Sequence, residues 1–295
     1  MTDELRPITK ELLDQWKAPL LTKGSEEHKQ ENAKFFEEKI RKPLQGWPAA
    51  FIKLRAEPKA AKEIALYETE RSLATLRFFT PAALIPKINC YIAAMGSENV
   101  EAVTTITFQG GIFTGLSKWI VDNSQRPLAL DNSAIAQIRK SGLDIVSQLL
   151  CKVDLTDFEE SLLDSLTLYS NATKAKELAS KIIYISASLE GIFLKNDTEP
   201  IQQNLGERIA TLIGKNLDEK KNIIKNIKTI YGVRSAFLHH AHSISQSEDL
   251  ERFMYTAFIA LTTVIQNHDR FPSKQEFISA IDDLKLTGTR SSTPA

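Results

Sequence analysis

The pattern of hydrophobic and polar positions separates a charge-rich N-terminal stretch from the rest of the chain. In residues 1–57 apolar positions are sparse, and the one periodic segment, Glu26 to Lys42, predicts a helix with a narrow apolar edge. A second helix is predicted from Lys59 to Phe79, where apolar residues recur at helical spacing and stop before Pro81. We therefore expect an N-terminal helical arm over residues 1–57.

Residues 58–150 change character and predict a mixed α/β region. Lys87 to Met95 and Val100 to Gln109 are rich in β-branched and aromatic residues, which is typical of strands. Gly110-Gly111 predicts a hairpin or bulge, because neither a dinucleotide fingerprint nor a Walker A lysine follows the pair. Ser133 to Leu150 returns to helical periodicity.

Residues 155–287 predict a helical bundle of ordinary domain size. The segments that carry helical periodicity are Phe158–Asn171, Lys174–Leu194, Pro200–Ile213, Asp218–His240, Glu248–Asn267 and, more weakly, Ser273–Leu284. The tail 288–295 is small and polar and predicts disorder. The predicted fold class is mainly α, with a C-terminal helical bundle preceded by a mixed α/β N-terminal region.

Amino-acid composition limits the ligands that the chain can bind and the cellular compartment in which we expect it. Its 295 residues, 42% of them hydrophobic, suffice for a substantial core, and 37 Lys+Arg balance 37 Asp+Glu. A neutral chain is not a general polyanion wrapper, so any contact with nucleic acid must be local. Cys90 and Cys151 are too few for a disulfide framework, and neither a signal peptide nor a membrane-spanning run is evident. We expect a cytoplasmic protein with no membrane partner.

The predicted helix Asp218–His240 carries an arginine where its apolar stripe continues. The stripe includes Ile227 and Tyr231, and the next position on it is Arg234. A guanidinium at the margin of a core is costly unless a carboxylate or a phosphate meets it. The best internal partner is Glu190, on the shoulder of the predicted helix Lys174–Leu194. An Arg–Glu pair that only fixes helix register is the alternative interpretation, and it leaves the histidines that follow unexplained.

Three of the five histidines in the chain fall within four positions: His239, His240 and His242. His239 and His242 share a helical face, but no Asp, Glu or Cys accompanies them locally, so a metal site is disfavoured and no cofactor is expected. An arginine and a histidine at one helix end supply instead a phosphate binder and a proton carrier.

These segments resemble a known family. The run TIYGVRSAFLHH (Thr229–His240), together with SASLEGIFL (Ser186–Leu194) and GERIATLIG (Gly206–Gly214), is similar to the HEPN superfamily and specifically to its Apea-like branch. The resemblance covers roughly residues 155–285, in the right helix order. It implies that the C-terminal part is a HEPN-like bundle.

The resemblance assigns roles by position in the Arg-x4-His motif. It implies Arg234 and His239 as the motif pair, Ser235 as its polar residue and Glu190 as the acidic partner from the preceding helix. His240 stands where many Apea-like members have Gly, which either crowds the site or adds a second proton donor.

The activity that the resemblance implies is metal-independent endoribonuclease, often in a toxin or a prokaryotic antiphage effector. In that reaction the RNA 2′-hydroxyl attacks the adjacent phosphorus, with His239 in proton transfer and Arg234 on the phosphate. Residues i and i+5 of a helix point about 140° apart, so one chain supplies an incomplete site. We therefore expect a homodimer with a composite site, RNA as substrate, and a regulatory partner protein or phage trigger.

Two other interpretations remain open. The bundle can be a non-catalytic HEPN-type interaction or dimerisation module, or a nucleotide-binding helper of a defence system. The polar face of the motif helix carries Lys220, Lys221, Lys225 and Lys228, which suit an RNA backbone but, by sequence alone, are better explained as a solvated face.

Overall fold

A computed structural model describes residues 3–22, 25–46, 48–52, 55–90, 92–93, 102–109, 112–120, 131–240, 244 and 248–287. By its internal contacts the chain divides into two compact units, Met1–Thr69 and Glu70–Ala295. None of the described helices is long and apolar enough to cross a membrane. The predicted disordered tail, 288–295, lies outside the described residues.

The first unit combines short helices with one antiparallel strand pair. Its elements are β1 (Asp3–Pro7), α1 (Lys10–Lys17), α2 (Glu26–Phe36), a π-helical turn (Glu37–Arg41), α3 (Lys42–Leu44) and β2 (Pro48–Ile52), with β1 paired to β2. The predicted helix Glu26–Lys42 is confirmed, whereas both strands are additions to the prediction. Ile8, Leu13 and Phe36 form a small buried core.

The predicted strand Lys87–Met95 is wrong over its described residues. After α4 (Pro58–Phe78) the chain runs through residues 87–90 and 92–93 without strand pairing. Helical partners satisfy its backbone groups instead: the Cys90 amide donates to the Thr173 carbonyl over 2.8 Å, and Lys181 Nζ donates to the Ile88 carbonyl over 2.9 Å. Arg77 donates likewise to the Ile92 carbonyl over 2.8 Å. A segment supplied with partners in this way needs no sheet.

The second predicted strand is confirmed as part of a hairpin. Strands β3 (Ala102–Gln109) and β4 (Ile112–Ile120) pair antiparallel, with an irregularity between Thr107 and Phe108. Gly110 and Gly111 lie outside the described residues. The described strands form only two separate two-stranded ladders, β1–β2 and β3–β4. The mainly α class is confirmed, whereas the predicted mixed α/β N-terminal region is not supported, since the described strands are isolated pairs and do not form a sheet with the helices.

The predicted helix Ser133–Leu150 is two helices. Helix α5 (Asn132–Lys140) ends before Gly142, and α6 (Leu143–Cys151) begins after it. Gly142 has φ +112°, a left-handed conformation that favours glycine. A Cβ at this position would also lie 2.6 Å from Ile265 Cγ2. The break therefore allows a close approach between the chain and a neighbouring helix.

The predicted bundle helices are all present, with ends shifted by no more than a few residues. They are α7 (Asp157–Lys174), α8 (Leu178–Phe193), α9 (Ile201–Ile213), α10 (Leu217–His240), α11 (Glu248–Asn267) and α12 (Lys274–Thr287). Local chemistry fixes some of these ends: Thr156 and Glu159 form a reciprocal capping box at the start of α7.

The hydrophobic core reaches beyond the predicted bundle. Helix α7 packs on α8, α9 packs on α10, and α11 contacts α6, α8, α9 and α10. Phe78, Phe79, Val146 and Leu149, which precede residue 155, are buried in the same cluster. These residues make the end of α4 and helix α6 part of the same core.

Candidate functional site

Helix α10 leaves the core after Tyr231. Its buried residues are Asn226, Ile227, Ile230 and Tyr231, and no residue from 232 to 240 is buried. The apolar pattern alone predicts that Leu238 packs on the bundle, which is wrong, because this side chain is 53% exposed. The last turns of α10 are therefore partly buried at Val233, Arg234, Ala236 and Phe237 and exposed at the other positions.

The structure pairs Arg234 with Glu190, as the sequence predicts. Arg234 Nη1 donates to Glu190 Oε1 over 2.6 Å, and the two side chains are 22% and 23% exposed. The hydroxyl of Tyr231 donates to the same Glu190 oxygen over 2.7 Å. The guanidinium carbon of Arg234 lies 5.4 Å from the centre of the Tyr231 ring, within cation–π range. Three side chains from α8 and α10 thus form one hydrogen-bonded cluster at the edge of the core.

Arg234 retains unused donor capacity. Within the described part of the chain, Nη1 is the one guanidinium nitrogen that makes a hydrogen bond, and Nε is buried without a partner. A guanidinium has five N–H donors, and an orphaned buried donor is costly. Glu190 therefore anchors the arginine through Nη1, and the N–H donors that remain on the Nη nitrogens can bind an anion such as a phosphate oxygen, whereas the buried Nε does not reach one.

Burial keeps Tyr231 protonated. Desolvation, followed by the negative charge of Glu190, raises the pKa of its phenol. The hydroxyl is consequently a hydrogen-bond donor to Glu190 across the physiological pH range. One turn before Glu190 on α8, the side chain of Ser186 is fully buried. The polar cluster is thus tightly enclosed on its α8 side.

The other predicted site residues lie on the surface. Ser235, His239 and His240 are exposed, and the ring centres of the two histidines are 6.4 Å apart with planes inclined by 62°. His242 lies outside the described residues. The structure therefore brings Arg234 and Glu190 together and leaves His239 accessible at the helix end. In an α-helix, Arg234 and His239 point about 140° apart, so one chain does not aim both at one small ligand.

The sequence prediction missed two polar residues that organise this region. Tyr231 was assigned only to the apolar stripe, although a buried tyrosine ordinarily requires a partner for its hydroxyl. Arg208, inside the quoted segment GERIATLIG, is buried and binds Glu199, Asp282 and the Phe193 carbonyl. Its position among apolar residues of a predicted helix was a signal comparable to that of Arg234.

Among the described residues, no group of three or more His, Cys, Asp or Glu side chains could hold a metal ion. A cleft of about 460 Å³ is lined by Cys151, Lys152, Glu159 and His268 with apolar neighbours, and none of its lining residues belongs to the α10 cluster.

No known family model matches the chain, and no curated protein or solved structure shows significant similarity to it. A functional assignment therefore depends on the chemistry and placement of the residues themselves.

Proposed function

We propose that this protein is a metal-independent endoribonuclease of the HEPN type that cleaves RNA at a composite site formed by two copies of the chain. The observation that carries the proposal is the exposed end of α10. It presents His239 to solvent five residues after an arginine that a carboxylate anchors and that still has free donors.

The proposed reaction uses groups that a helix end supplies without a metal. The RNA 2′-oxygen attacks the adjacent phosphorus and loses its proton to a base, while the bond to the 5′-oxygen breaks and an acid protonates that oxygen. The products are a 2′,3′-cyclic phosphate and a 5′-hydroxyl. An imidazole serves as base or acid near neutral pH, and a guanidinium stabilises the charged phosphorane.

Two copies complete the set of groups. One chain has one motif histidine, whereas the reaction needs a base and an acid on opposite sides of the phosphate. A twofold axis near the ends of two α10 helices would place two Arg234–His239 pairs around one phosphodiester. The 53% exposed Leu238, adjacent to His239, supplies apolar surface for this contact.

The enzymatic proposal is tested by RNA cleavage in EDTA. We expect cleavage by the wild type, and losses of about 10²-fold or more in His239→Ala and in Arg234→Ala. Arg139→Ala and His28→Ala are matched controls, because these side chains are exposed and lie on other helices. Equal activity in all five proteins would refute the proposal.

The dimer is tested separately. Leu238→Asp is expected to shift the gel-filtration peak to monomer and to abolish cleavage without unfolding, because the side chain is already exposed. Leu217→Asp is the control, since Leu217 is 66% exposed at the opposite end of α10. A wild type that is monomeric and active would exclude the composite site.

A non-catalytic interaction module is the second candidate function. Its support is the internal pairing of Arg234 with Glu190 and Tyr231, which can act purely as a structural clamp. In that case His239→Ala leaves every RNA and dimer measurement unchanged, whereas Glu190→Ala lowers stability. A nucleotide-binding helper would instead show saturable nucleotide binding that does not require His239.

The biological role that we propose is that of a cytoplasmic toxin or antiphage defence effector. A free endoribonuclease harms its own cell, so such a protein needs restraint by a regulatory partner protein or release by a phage trigger. Expression of the wild type is expected to arrest growth, and expression of His239→Ala is not.

A further inference from the structure

Beyond its first turn, the motif helix lies in a stretch of chain that lacks acidic residues. Residues 220–247 contain no Asp or Glu, yet they include four lysines and Arg234. The chain as a whole is neutral, so this stretch concentrates positive charge on α10. Local basic charge of this kind is what a contact with nucleic acid requires of a neutral protein.

The exposed lysines lie in single file with His239. Five exposed residues follow one another along α10 at alternating steps of four and three, when Gly232 is counted between the third and the fourth. They are Lys221, Lys225, Lys228, Ser235 and His239. Steps of this kind keep side chains on one face of a helix. The file runs about 27 Å along the axis from Lys221 to His239, at 1.5 Å per residue.

The three lysines have no acidic partner in the described part of the chain. None of Lys221, Lys225 and Lys228 forms an ion pair there. The acidic residues nearest in sequence, Asp218 and Glu219, lie at the start of α10, where Glu219 accepts a hydrogen bond from the Lys215 amide over 2.9 Å. The charge on this face is therefore available to an external anion.

We propose that Lys221, Lys225 and Lys228 form a track that holds the backbone of single-stranded RNA and leads it to His239 of the same chain. This inference rests on the proposed endoribonuclease function. A row one lysine wide matches one phosphodiester strand, since each ammonium neutralises a phosphate without reading a base. No aromatic side chain lies in the file, so binding is tolerant of base sequence.

With the track in place, each of the two copies supplies a different group to one RNA strand. Arg234 lies about 140° around the helix from the file, on the side that faces Glu190. A strand on the track meets the histidine of its own chain first, and the arginine that contacts its phosphate comes from the second copy. The lysines therefore set RNA affinity, while His239 and Arg234 set the rate of cleavage.

The test measures binding and cleavage separately. The triple variant Lys221→Gln, Lys225→Gln, Lys228→Gln is made in the His239→Ala background, and its affinity for a labelled single-stranded RNA of mixed sequence is measured at several salt concentrations. We expect at least about tenfold weaker binding at low salt and a salt slope reduced by about 2, since each phosphate contact on a single strand contributes about 0.7. With His239 intact, the triple variant is expected to show a KM for RNA cleavage that is raised by at least about tenfold.

The matched control is Lys59→Gln, Lys87→Gln, Lys140→Gln, which removes the same charge from exposed positions elsewhere. The track is overturned if both triple variants bind RNA alike, or if the loss depends on base sequence. An unchanged RNA affinity with lost binding to an acidic protein would likewise overturn it. Failure of the wild type to cleave RNA in EDTA would refute the proposed enzyme but leave the binding comparison intact, so the two failures are distinguishable.

Discussion

Arg234 and Glu190 meet through one hydrogen bond, from Nη1 to Oε1 over 2.6 Å, at the point where α10 leaves the core. Tyr231 binds the same carboxylate oxygen. This arrangement fixes the arginine by one side only. The Arg234 side chain links helices α8 and α10 and, in our proposal, also binds phosphate.

Glu190 is expected to act as a positioning residue. Glu190→Ala leaves the Tyr231 hydroxyl and the Arg234 guanidinium without their partner, so we expect a loss of about 2 to 4 kcal/mol in the free energy of unfolding and a strong loss of cleavage. Glu190→Gln keeps an acceptor for both donors and should cost about 1 kcal/mol. Urea unfolding and saturating cleavage rates check this. A purely structural Glu190 would leave the cleavage rate of the folded Ala variant at the wild-type value, whereas a positioning role predicts cleavage lost in Ala and largely kept in Gln.

Lys181 makes stability depend on pH in the alkaline range. The residue is buried, and burial lowers the pKa of its ammonium from 10.5 to about 8. Between about pH 8 and 10.5 the unfolded chain holds this proton while the native chain has lost it, so this group makes the free energy of unfolding rise with pH. The full effect is on the order of 3 kcal/mol at most.

The variant that isolates this effect is Lys181→Met. We expect its stability relative to wild type to be most favourable near pH 7.5 and to decline as the pH approaches 10. Urea unfolding at several pH values measures the trend, and Lys140→Met, at an exposed position, is the control. An identical pH dependence for wild type and Lys181→Met would contradict the assignment.

Arg208 is expected to be the most sensitive charged residue of the bundle. It donates two hydrogen bonds to Glu199, two to Asp282 and one to the Phe193 carbonyl. Arg208→Ala takes five hydrogen bonds from this buried cluster and leaves the two carboxylates together with only the ion pair of Lys195 to Asp282, over 3.0 Å, and we expect a loss of about 3 to 5 kcal/mol. The exposed Arg139→Ala is the control and should change stability by less than about 0.5 kcal/mol.

Arg208 also governs stability in acid. Its hydrogen bonds lower the pKa of Glu199 and of Asp282. Carboxyl groups with lowered pKa values stabilise the fold at pH values above their ordinary pKa, near 4. That stabilisation is lost as the pH falls through the lowered pKa values of the folded protein. In Arg208→Ala this acid-labile contribution is reduced, and what remains comes from Lys195, which also lowers both pKa values. Thermal unfolding between pH 3 and 7 should therefore show a shallower decline toward acid than in the wild type.

Two glycines are expected to respond to alanine in opposite directions. Gly142→Ala forces a side chain into a left-handed backbone conformation and against Ile265, so we expect a loss of about 2 kcal/mol or more. Gly232 lies within α10, and a Cβ there meets no atom within 4 Å. Gly232→Ala should gain about 0.5 to 1 kcal/mol through helix propensity. Chemical denaturation of both variants measures the contrast, and the same sign for both would contradict it.

The helices of the bundle were predictable because burying one face of a helix makes its apolar residues recur at helical spacing. Helix α11 was predicted at its observed bounds, and α10 began within one residue of its predicted start. The sequence pattern predicted a strand wrongly where side chains, rather than a neighbouring strand, bind the backbone carbonyls. Residues 87–93 have the composition of a strand, yet Arg77 and Lys181 bind their carbonyls. Amino-acid composition indicates a preference for extended backbone, but it does not indicate which hydrogen-bond partner the backbone groups will have.

The sequence by itself determined the mainly helical class, the order of the bundle helices and the pairing of an out-of-place arginine with Glu190, because periodicity and the cost of an unpaired charge are local properties of the chain. Only the tertiary structure decided where α10 leaves the core, that Tyr231 shares the carboxylate, and that the lysines and His239 share an exposed face. Exposure depends on which neighbouring helices cover a residue, and those neighbours come from distant parts of the chain.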